Sequence, residues 1–388
     1  MADPAKVFFR DRGYDGQFTR TLNAAVVHAA DLGEAFATAR RVGKLTGVGW
    51  YDAWSATADR ARAAAGSALT AGDRVSARHA FLRASEYHRQ AYFFLRSDLD
   101  DPRLQSAYRG HVEAFAEAAK LLDHPAEAVR IPYADTTLHG YLFAPHASRT
   151  PQPTVVLPCG YDSTSEAGWL DVPAAIARGC NALVFDGPGQ GETLYTQRRF
   201  LRPDFEHVLS PVLDWLLARP EADPAKVVLF GRSFAGYLAP RAATAEHRLA
   251  ALVCDPAQPD LGARVPTGPA GLFAVPLVRA QMRRNPNRAE FFGSRMAAHG
   301  ISSVREYFAE MRRYTMLADA ANIRCPTLLI ESEHDFTAGG GAVLRDAMKA
   351  PVRLVRLTET EGVDGHCAGM GQQVWTGVVY SWLHDVLA

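Results

Sequence analysis

The sequence has few of the features that mark a secreted, metal-binding or membrane-spanning protein. Its five cysteines are scattered and never form a CxxC pair, so we expect neither a disulfide framework nor a cysteine-based zinc site. No cluster of histidines and carboxylates at ligand spacing replaces them. The first residues lack the apolar core of a secretory signal, and no run reaches about 18 apolar residues. We therefore predict a cytoplasmic protein with no metal, no other cofactor and no membrane segment.

An excess of charge of either sign is also missing. Lysine and arginine total 42, and aspartate and glutamate total 42. This balance gives no electrostatic reason to expect nucleic acid or an anionic membrane surface as a partner. Apolar residues make up 48% of the chain, which is typical of a globular protein.

Two segments with different hydrophobic periodicity follow each other along the chain. Up to about residue 125, apolar residues recur at helical spacing, most clearly in "DRVSARHAFLRASEYHRQAYFF", where Asp73 is a candidate N-cap. Similar helical stretches lie near 17–42, 51–69 and 104–122. We predict an all-helical cap domain over residues 1–125.

From residue 126 the pattern changes to short apolar runs bounded by Pro, Gly and Asp. "AVRIPYADTTLHGYLFAP" alternates like two paired strands, and six near-continuous apolar runs follow: "TVVLPCG", "NALVFDGPG", "KVVLFGRS", "LAALVCDP", "PTLLIESEHD" and "VRLVRL". Such runs, separated by helical segments, predict a mostly parallel sheet covered by helices on both faces. We predict an α/β catalytic domain over 126–388, with a helical, lid-like insertion at about 262–320.

The segment "VLFGRSFAGYLAP" places Ser233 between a buried strand and a probable helix. Small residues at positions 231 and 235 are needed where a sharp strand-to-helix turn lifts a nucleophilic hydroxyl above a sheet. A tight turn without a catalytic role would give the same five residues. The assignment of Ser233 as a nucleophile therefore depends on finding a base and an acid that orients the base.

Two downstream residues supply these partners in the chain order serine, acid, histidine that is typical of α/β-hydrolases. Asp335 directly follows the strand "PTLLIESEH", and His366 lies in the glycine-flanked loop "TETEGVDGHCAGMG". Asp255, at the end of the preceding strand, is an alternative acid, and Asp364 is a third candidate. We predict a Ser233–His366–Asp335 catalytic triad, in which the serine attacks a carbonyl group. The backbone N–H groups of Phe234 and Tyr161 are the predicted oxyanion hole.

Several motifs together resemble one branch of the α/β-hydrolases. They are "IPYADTTLHGYLFAP", "CGYDSTSEAGW", "FDGPGQGET", "GRSFAGYLAPRAA", "ESEHD" and "DGHC", preceded by the helical "RASEYHRQAYFF". The branch includes 2,6-dihydroxypseudooxynicotine hydrolase, which cleaves a C–C bond, the FrsA-like esterases and fungal polyketide-shortening hydrolases. The resemblance covers most of the chain and implies the same triad, an N-terminal helical cap and a homodimer. Two departures are Ala235 in the turn and Cys159 before Gly160.

The resemblance implies hydrolysis of a C–C bond next to a ketone in an aromatic or polyketide-like small molecule, through an acyl-enzyme. Carboxylesterase, thioesterase and acyltransferase activities remain alternatives, because the same triad serves all of them. A prolyl-oligopeptidase-type peptidase would need a propeller of repeated strands, and a binding module would be expected to lack triad members. The candidate substrate-binding residues are Glu166, Trp54, Tyr87 and His88, although packing between cap helices would also explain the last three.

Overall fold

The computed structural model describes residues 6–147 and 150–388, and its N-terminal part is helical, as predicted. Five helices precede the first strand: α1 (Arg12–Ala24), α2 (Leu32–Arg41), α3 (Gly47–Thr70), α4 (Arg74–Tyr92) and α5 (Pro102–Ala119). Asp73 is the N-cap of α4 and accepts from the N–H of Ser76. The stretch predicted near 17–42 is two helices, because His28 adopts a left-handed conformation (φ 60°) between them.

Aromatic side chains fill the space between these helices. Trp50 and Trp54 of α3 are fully buried, and their rings lie 5.5 Å apart. The indole N–H of Trp50 donates to the carbonyl oxygen of Gln90 on α4 at 2.8 Å. This interior explains why the N-terminal helices pack together into one helical region, residues 12–119.

A single eight-stranded sheet forms the rest of the core. Its strands are β1 (Ala126–Tyr133), β2 (Thr136–Phe143), β3 (Gln152–Pro158), β4 (Asn181–Phe185), β5 (Ala222–Arg232), β6 (Ala251–Asp255), β7 (Thr327–Ser332) and β8 (Val352–Leu357). The strand order is β1-β2-β4-β3-β5-β6-β7-β8. The β1–β2 and β2–β4 pairs are antiparallel and all the others are parallel, which confirms the predicted mostly parallel sheet.

Helices cover the sheet and fill its connections. They are α6 (Val172–Ile176), α7 (Gly191–Tyr195), α8 (Glu206–Leu217), α9 (Ala235–Ala243), α10 (Gly268–Arg284), α11 (Pro286–Ala298), α12 (Val304–Met311), α13 (Gly341–Ala347) and α14 (Gln372–Leu387). Helices α10, α11 and α12 occupy the long connection from β6 to β7, where the sequence indicates an insertion. No helix within the described residues is both long and apolar enough to cross a membrane.

Candidate active site

A cavity of about 1230 Å³ lies where the helical region meets the carboxyl ends of the parallel strands. Residues that follow β3, β5 and β7 line one side, among them Gly160, Ser233 and Thr337. Side chains from α1, α4 and α5 line the other side, including Arg20 and His111. The carboxyl edge of an open α/β sheet is where ligands bind in such folds, so this cavity is the candidate active site.

Ser233 lies in the sharp turn between β5 and α9. Its backbone is in the left-handed region (φ 58°), which strains a non-glycine residue, and its N–H donates to the carbonyl oxygen of Asp255 at 2.8 Å. A side chain at Gly231 would come within 2.3 Å of the carbonyl oxygen of Ala235, and one at Gly236 within 1.9 Å of that of Pro256. The glycines are therefore required by the close approach of backbone around the serine.

The three predicted triad residues lie within hydrogen-bond distance of one another. Ser233 Oγ is 2.8 Å from His366 Nε2. His366 Nδ1 is 2.9 Å from Asp335 Oδ1 and 3.0 Å from Oδ2. This is the geometry that nucleophile activation requires, a base on the serine and an acid on the far nitrogen of the base.

The charges around His366 favour its protonated form. Burial lowers the pKa of His366, whereas negative charge at Cys367 and Asp335 raises it, and the net shift is upward. Burial also raises the pKa of the Cys367 thiol, which keeps that thiol neutral, so we assign the upward shift to Asp335. Burial raises the pKa of Asp335 as well, but His366 and Thr337 outweigh it, and the net shift is downward. A carboxylate is thus held beside the imidazole.

The two alternative acids have surroundings different from those of Asp335. Asp255 is fully buried, and its carboxylate has no hydrogen-bond partner among the described residues. Its nearest cation is Arg232, with Nη2 3.7 Å from Oδ2, and burial raises the pKa of Asp255 to about 7. Asp364 Oδ1 instead lies 2.7 Å from His334 Nδ1. Asp335 is therefore the carboxylate that orients His366 in this structure.

The two predicted oxyanion donors lie on either side of the nucleophile. Phe234 follows Ser233 and is the N-cap of α9, whose N-terminal end favours negative charge. Tyr161 follows Gly160, where an added side chain would lie 3.3 Å from Ser233 Cβ and 3.7 Å from its Oγ. The rings of Tyr161 and Phe234 pack with centroids 4.1 Å apart. Both residues line the cavity, and their role as oxyanion donors stays a prediction.

The profile of the alpha/beta hydrolase family matches residues 154–372, more than half of the chain. The chain belongs to the alpha/beta hydrolase family. This assignment agrees with the sheet order and with the resemblance drawn from the sequence motifs, and it confirms the predicted class of enzyme.

Proteins that are similar to this chain in sequence or structure include several that are named hydrolases. Hydrolase acrC of Aspergillus aculeatus is 33% identical over 398 residues, covering 92% of each chain. The 20-hydroxy-prefusarin hydrolase FUS2 of Gibberella moniliformis is 38% identical over 280 residues, covering 70% of this chain and 64% of FUS2. The crystal structure of 2,6-dihydroxy-pseudo-oxynicotine hydrolase superposes with a TM-score of 0.76 at 23% identity, covering 95% of this chain and 96% of the other. The last comparison supports the fold.

Glu166 lies on the cavity wall of the hydrolase in a buried group of charged residues. Its Oε1 is 3.2 Å from His139 Nε2, and its Oε2 is 3.7 Å from His111 Nε2. Burial raises the pKa of Glu166, but the two histidines outweigh this and lower it to about 2. Burial, together with the charge of Glu166, raises the pKa of the neighbouring Asp186 to about 7. Glu166 therefore carries the negative charge of this group.

Three other predicted substrate-binding residues lie away from the cavity. Trp54 and Tyr87 are fully buried between helices of the helical region, with ring centroids 5.6 Å apart. The Tyr87 hydroxyl donates to Glu34 at 2.8 Å, and the ring of His88 packs against Gly110. None of the three lines the cavity. These three residues pack between helices and do not contact the cavity, because Trp54 and Tyr87 pack on each other, Tyr87 donates a hydrogen bond to α2, and His88 faces α5.

Two residues that are not among the predicted site residues, Thr337 and Gln258, support the triad. Thr337 Oγ1 donates to Asp335 Oδ1 at 2.6 Å, and its N–H donates to the same oxygen at 2.8 Å. Gln258 Nε2 donates to the carbonyl oxygen of Ser233 at 2.7 Å. Thr337 was recognisable as the second residue after the predicted acid, a position that commonly caps an aspartate. Gln258 has no comparable sequence signal.

Within the part of the chain that the structure describes, one group of side chains could hold a metal ion. It consists of Asp335, His366 and Cys367, whose donor atoms lie within 4.8 Å of one another. Both ring nitrogens of His366 are already engaged, one with Ser233 and the other with Asp335. The arrangement therefore fits a serine–histidine–aspartate system better than a metal centre.

Proposed function

We propose that this hydrolase cleaves a C–C bond next to a ketone in an aromatic or polyketide-like substrate, through an acyl-enzyme on Ser233. The observation that carries the proposal is the 2.8 Å contact between Ser233 Oγ and His366 Nε2, with Asp335 2.9 Å from the other ring nitrogen. The preference for a C–C bond rests on the motif resemblance to a C–C bond hydrolase. The names of FUS2 and of the pseudo-oxynicotine hydrolase support a small-molecule substrate.

In the first step, Ser233 Oγ attacks the ketone carbon while His366 Nε2 accepts the hydroxyl proton. The carbonyl oxygen becomes an oxyanion, which the N–H groups of Phe234 and Tyr161 stabilise. Loss of one such donor costs about 3–4 kcal/mol of transition-state stabilisation. Asp335 stabilises the imidazolium that forms.

In the second step, the tetrahedral intermediate collapses and the bond between the carbonyl carbon and its neighbour breaks. The electron pair leaves as an enolate, which His366 protonates on carbon or oxygen, and the acyl group stays on Ser233. Water, activated by the same histidine, then hydrolyses the acyl-enzyme to a carboxylic acid and free serine. The enolate is a good leaving group only if a second carbonyl or a polyhydroxylated ring stabilises it.

The carboxylesterase alternative uses the same groups, with an alkoxide in place of the enolate. His366 would then protonate oxygen, which requires no special placement of the leaving carbon. Substrate preference therefore distinguishes the two activities, whereas triad mutations do not.

The test combines covalent labelling with turnover. A fluorophosphonate probe should attach to Ser233, located by peptide mass, and an acylated polyhydroxyarene should be cleaved faster than p-nitrophenyl butyrate. Ser233→Ala should abolish labelling and lower kcat/KM by at least about 10⁴-fold. Ser67→Ala, which removes an exposed hydroxyl on α3, is the matched control and should leave both unchanged.

The outcomes separate the candidate activities. Rapid ester turnover without ketone cleavage would replace the C–C hydrolase proposal with the esterase. Full activity in Ser233→Ala would exclude both, because neither works without the nucleophile.

A further inference from the structure

Arg295 of α11 lines the cavity but differs from three other arginines of its wall, which are paired with carboxylates. Arg20, Arg89 and Arg232 each have a carboxylate oxygen within 3.0 Å, on Asp162, Glu86 and Asp171 respectively. Arg295 forms no ion pair with any described residue. Its recorded hydrogen bond runs from Nη1 to the carbonyl oxygen of Phe291, one turn earlier in the same helix, at 3.0 Å.

The described groups that contact Arg295 are aromatic rings and a backbone carbonyl. Its guanidinium lies 3.5 Å from the ring centroid of Phe291 and 5.1 Å from that of Tyr161. Burial, together with the charge of Arg295, lowers the pKa of the nearby His299 to about 3, so that imidazole is neutral. Burial raises the pKa of the Tyr307 hydroxyl, which is also neutral. Among Phe291, Tyr161, His299 and Tyr307, Arg295 is therefore the charged side chain.

The free edge of the guanidinium has the geometry of a carboxylate site. Nη1 is used by the helix backbone, and Nε and Nη2 donate to no described residue. These two nitrogens form the edge on which arginine binds a carboxylate through two parallel hydrogen bonds. A cation held among aromatic rings without a counter-ion is costly unless an anion or water satisfies its donors.

Arg295 also lies close to the reaction centre. Tyr161, whose ring it faces, packs on Phe234 and follows Gly160, the residue that touches Ser233. A group bound by Arg295 would thus belong to the same molecule whose carbonyl group meets the oxyanion donors.

We propose that Arg295 binds a carboxylate of the substrate, so that the hydrolase acts on keto acids in preference to neutral ketones. This inference rests on the proposed function in one respect, that the substrate is a small carbonyl compound bound in this cavity. Arg295 is a specificity residue in this scheme and takes no part in bond breaking.

The test measures binding without turnover, in a Ser233→Ala background. The ligands are 2,4-dioxo-4-phenylbutanoate and its primary amide, which differ only in the carboxylate, and calorimetry gives both Kd values. We expect the acid to bind at least about tenfold more tightly than the amide, because charge-assisted bonds to arginine are strong. Arg295→Gln should remove this preference, and Arg295→Lys should keep part of it, since lysine retains the charge without the two-pronged geometry.

Arg305→Gln is the matched control, because it removes an exposed arginine of the neighbouring helix α12 and should retain the full preference. Equal weakening of acid and amide by Arg295→Gln would overturn the proposal. An unchanged preference for the acid in Arg295→Gln would also overturn it. So would a Ser233→Ala protein that shows no preference for the acid or does not bind it at millimolar concentration. Serine labelling is measured separately, so failure of the nucleophile assignment leaves this test intact.

Discussion

The carboxyl ends of the neighbouring strands β6 and β7 each lead to a buried aspartate, yet the two carboxyl groups have opposite surroundings. Asp335 accepts hydrogen bonds from Thr337 and from the N–H of Cys367, and it contacts His366. The carboxylate of Asp255 accepts none from a described residue. The pKa of Asp335 is lowered, whereas burial raises that of Asp255 to about 7. Two positions that look equivalent in the sequence therefore differ in charge.

The residues that follow each aspartate explain this difference. Pro256, which has no N–H, and Ala257 follow Asp255, and neither donates a hydrogen bond to its carboxylate. Thr337, two residues after Asp335, donates both its N–H and its hydroxyl to the carboxylate, as in an Asx turn. A carboxylate that accepts several hydrogen bonds remains ionised, and only an ionised acid can stabilise an imidazolium. The loop that follows β7 therefore keeps Asp335 ionised, so that it can act as the acid of the triad.

The sharpest test of this comparison replaces each aspartate with asparagine. Asp335→Asn should lower kcat/KM by about 10³–10⁴-fold, because the amide neither stabilises the imidazolium nor fixes its tautomer. Asp255→Asn should cost less than about tenfold, because the carboxylate of Asp255 forms no hydrogen bond with His366. Steady-state kinetics on the best ketone or ester substrate measures both. A larger loss in Asp255→Asn than in Asp335→Asn would reverse the assignment of the acid.

The pH dependence of the same variants provides a control. Activity requires neutral His366, so kcat/KM should rise as the pH rises through the pKa of this residue. Asp335 raises that pKa, so its removal should move the acid limb of the profile to lower pH. Asp255→Asn should leave the limb in place. An acid limb that does not move in Asp335→Asn would show that this carboxylate does not set the pKa of His366.

The sequence predicts the strand side of the cavity well, because local rules govern it. Backbone crowding favours small residues two positions before and after Ser233, and the partners follow strand ends, which short apolar runs mark clearly. The choice between Asp255 and Asp335 was already uncertain, because both follow a buried strand. Only the hydrogen bonds of the folded loops distinguish them.

The helix side of the cavity is much less predictable. Periodicity shows that residues such as Trp54 and Tyr87 are buried, but not whether they face another helix or a ligand. Arg20 of α1 lines the cavity through a contact with Asp162, 142 residues away in the chain. Such pairings depend on how the helical region docks onto the sheet, and a single sequence carries no signal for that.

The raised pKa of Asp255 should also make the stability of the fold depend on pH. An aspartate in an unfolded chain has a pKa of about 3.9, and that of folded Asp255 is about 7. The folded protein therefore binds more protons between these values, and this residue should make folding less favourable as the pH rises from 4 to 7. Asp255→Asn should remove up to about 4 kcal/mol of this loss. Urea unfolding of wild type and variant at pH 5 and pH 8 measures the difference.

Replacement of an exposed aspartate, Asp385→Asn on α14, is the control for the stability measurement. It should change the free energy of unfolding by less than about 0.5 kcal/mol at either pH. If Asp255→Asn were as stable relative to wild type at pH 5 as at pH 8, Asp255 would be ionised in the folded protein. Asp255 and Asp335 would then differ only in their contacts and not in their ionisation.

The smallest effect is expected at Thr337, the residue that gives Asp335 a donor that Asp255 lacks. Thr337→Val keeps the backbone N–H but removes the hydroxyl that lies 2.6 Å from Asp335 Oδ1. A hydrogen bond to a charged group contributes about 1.5–3 kcal/mol, and part of this loss should appear as a decrease of about tenfold in kcat. Thr337→Ser retains the hydroxyl and should stay within about twofold of wild type. If valine and serine gave equal kcat, the backbone N–H groups of Thr337 and Cys367 would be sufficient to keep Asp335 ionised.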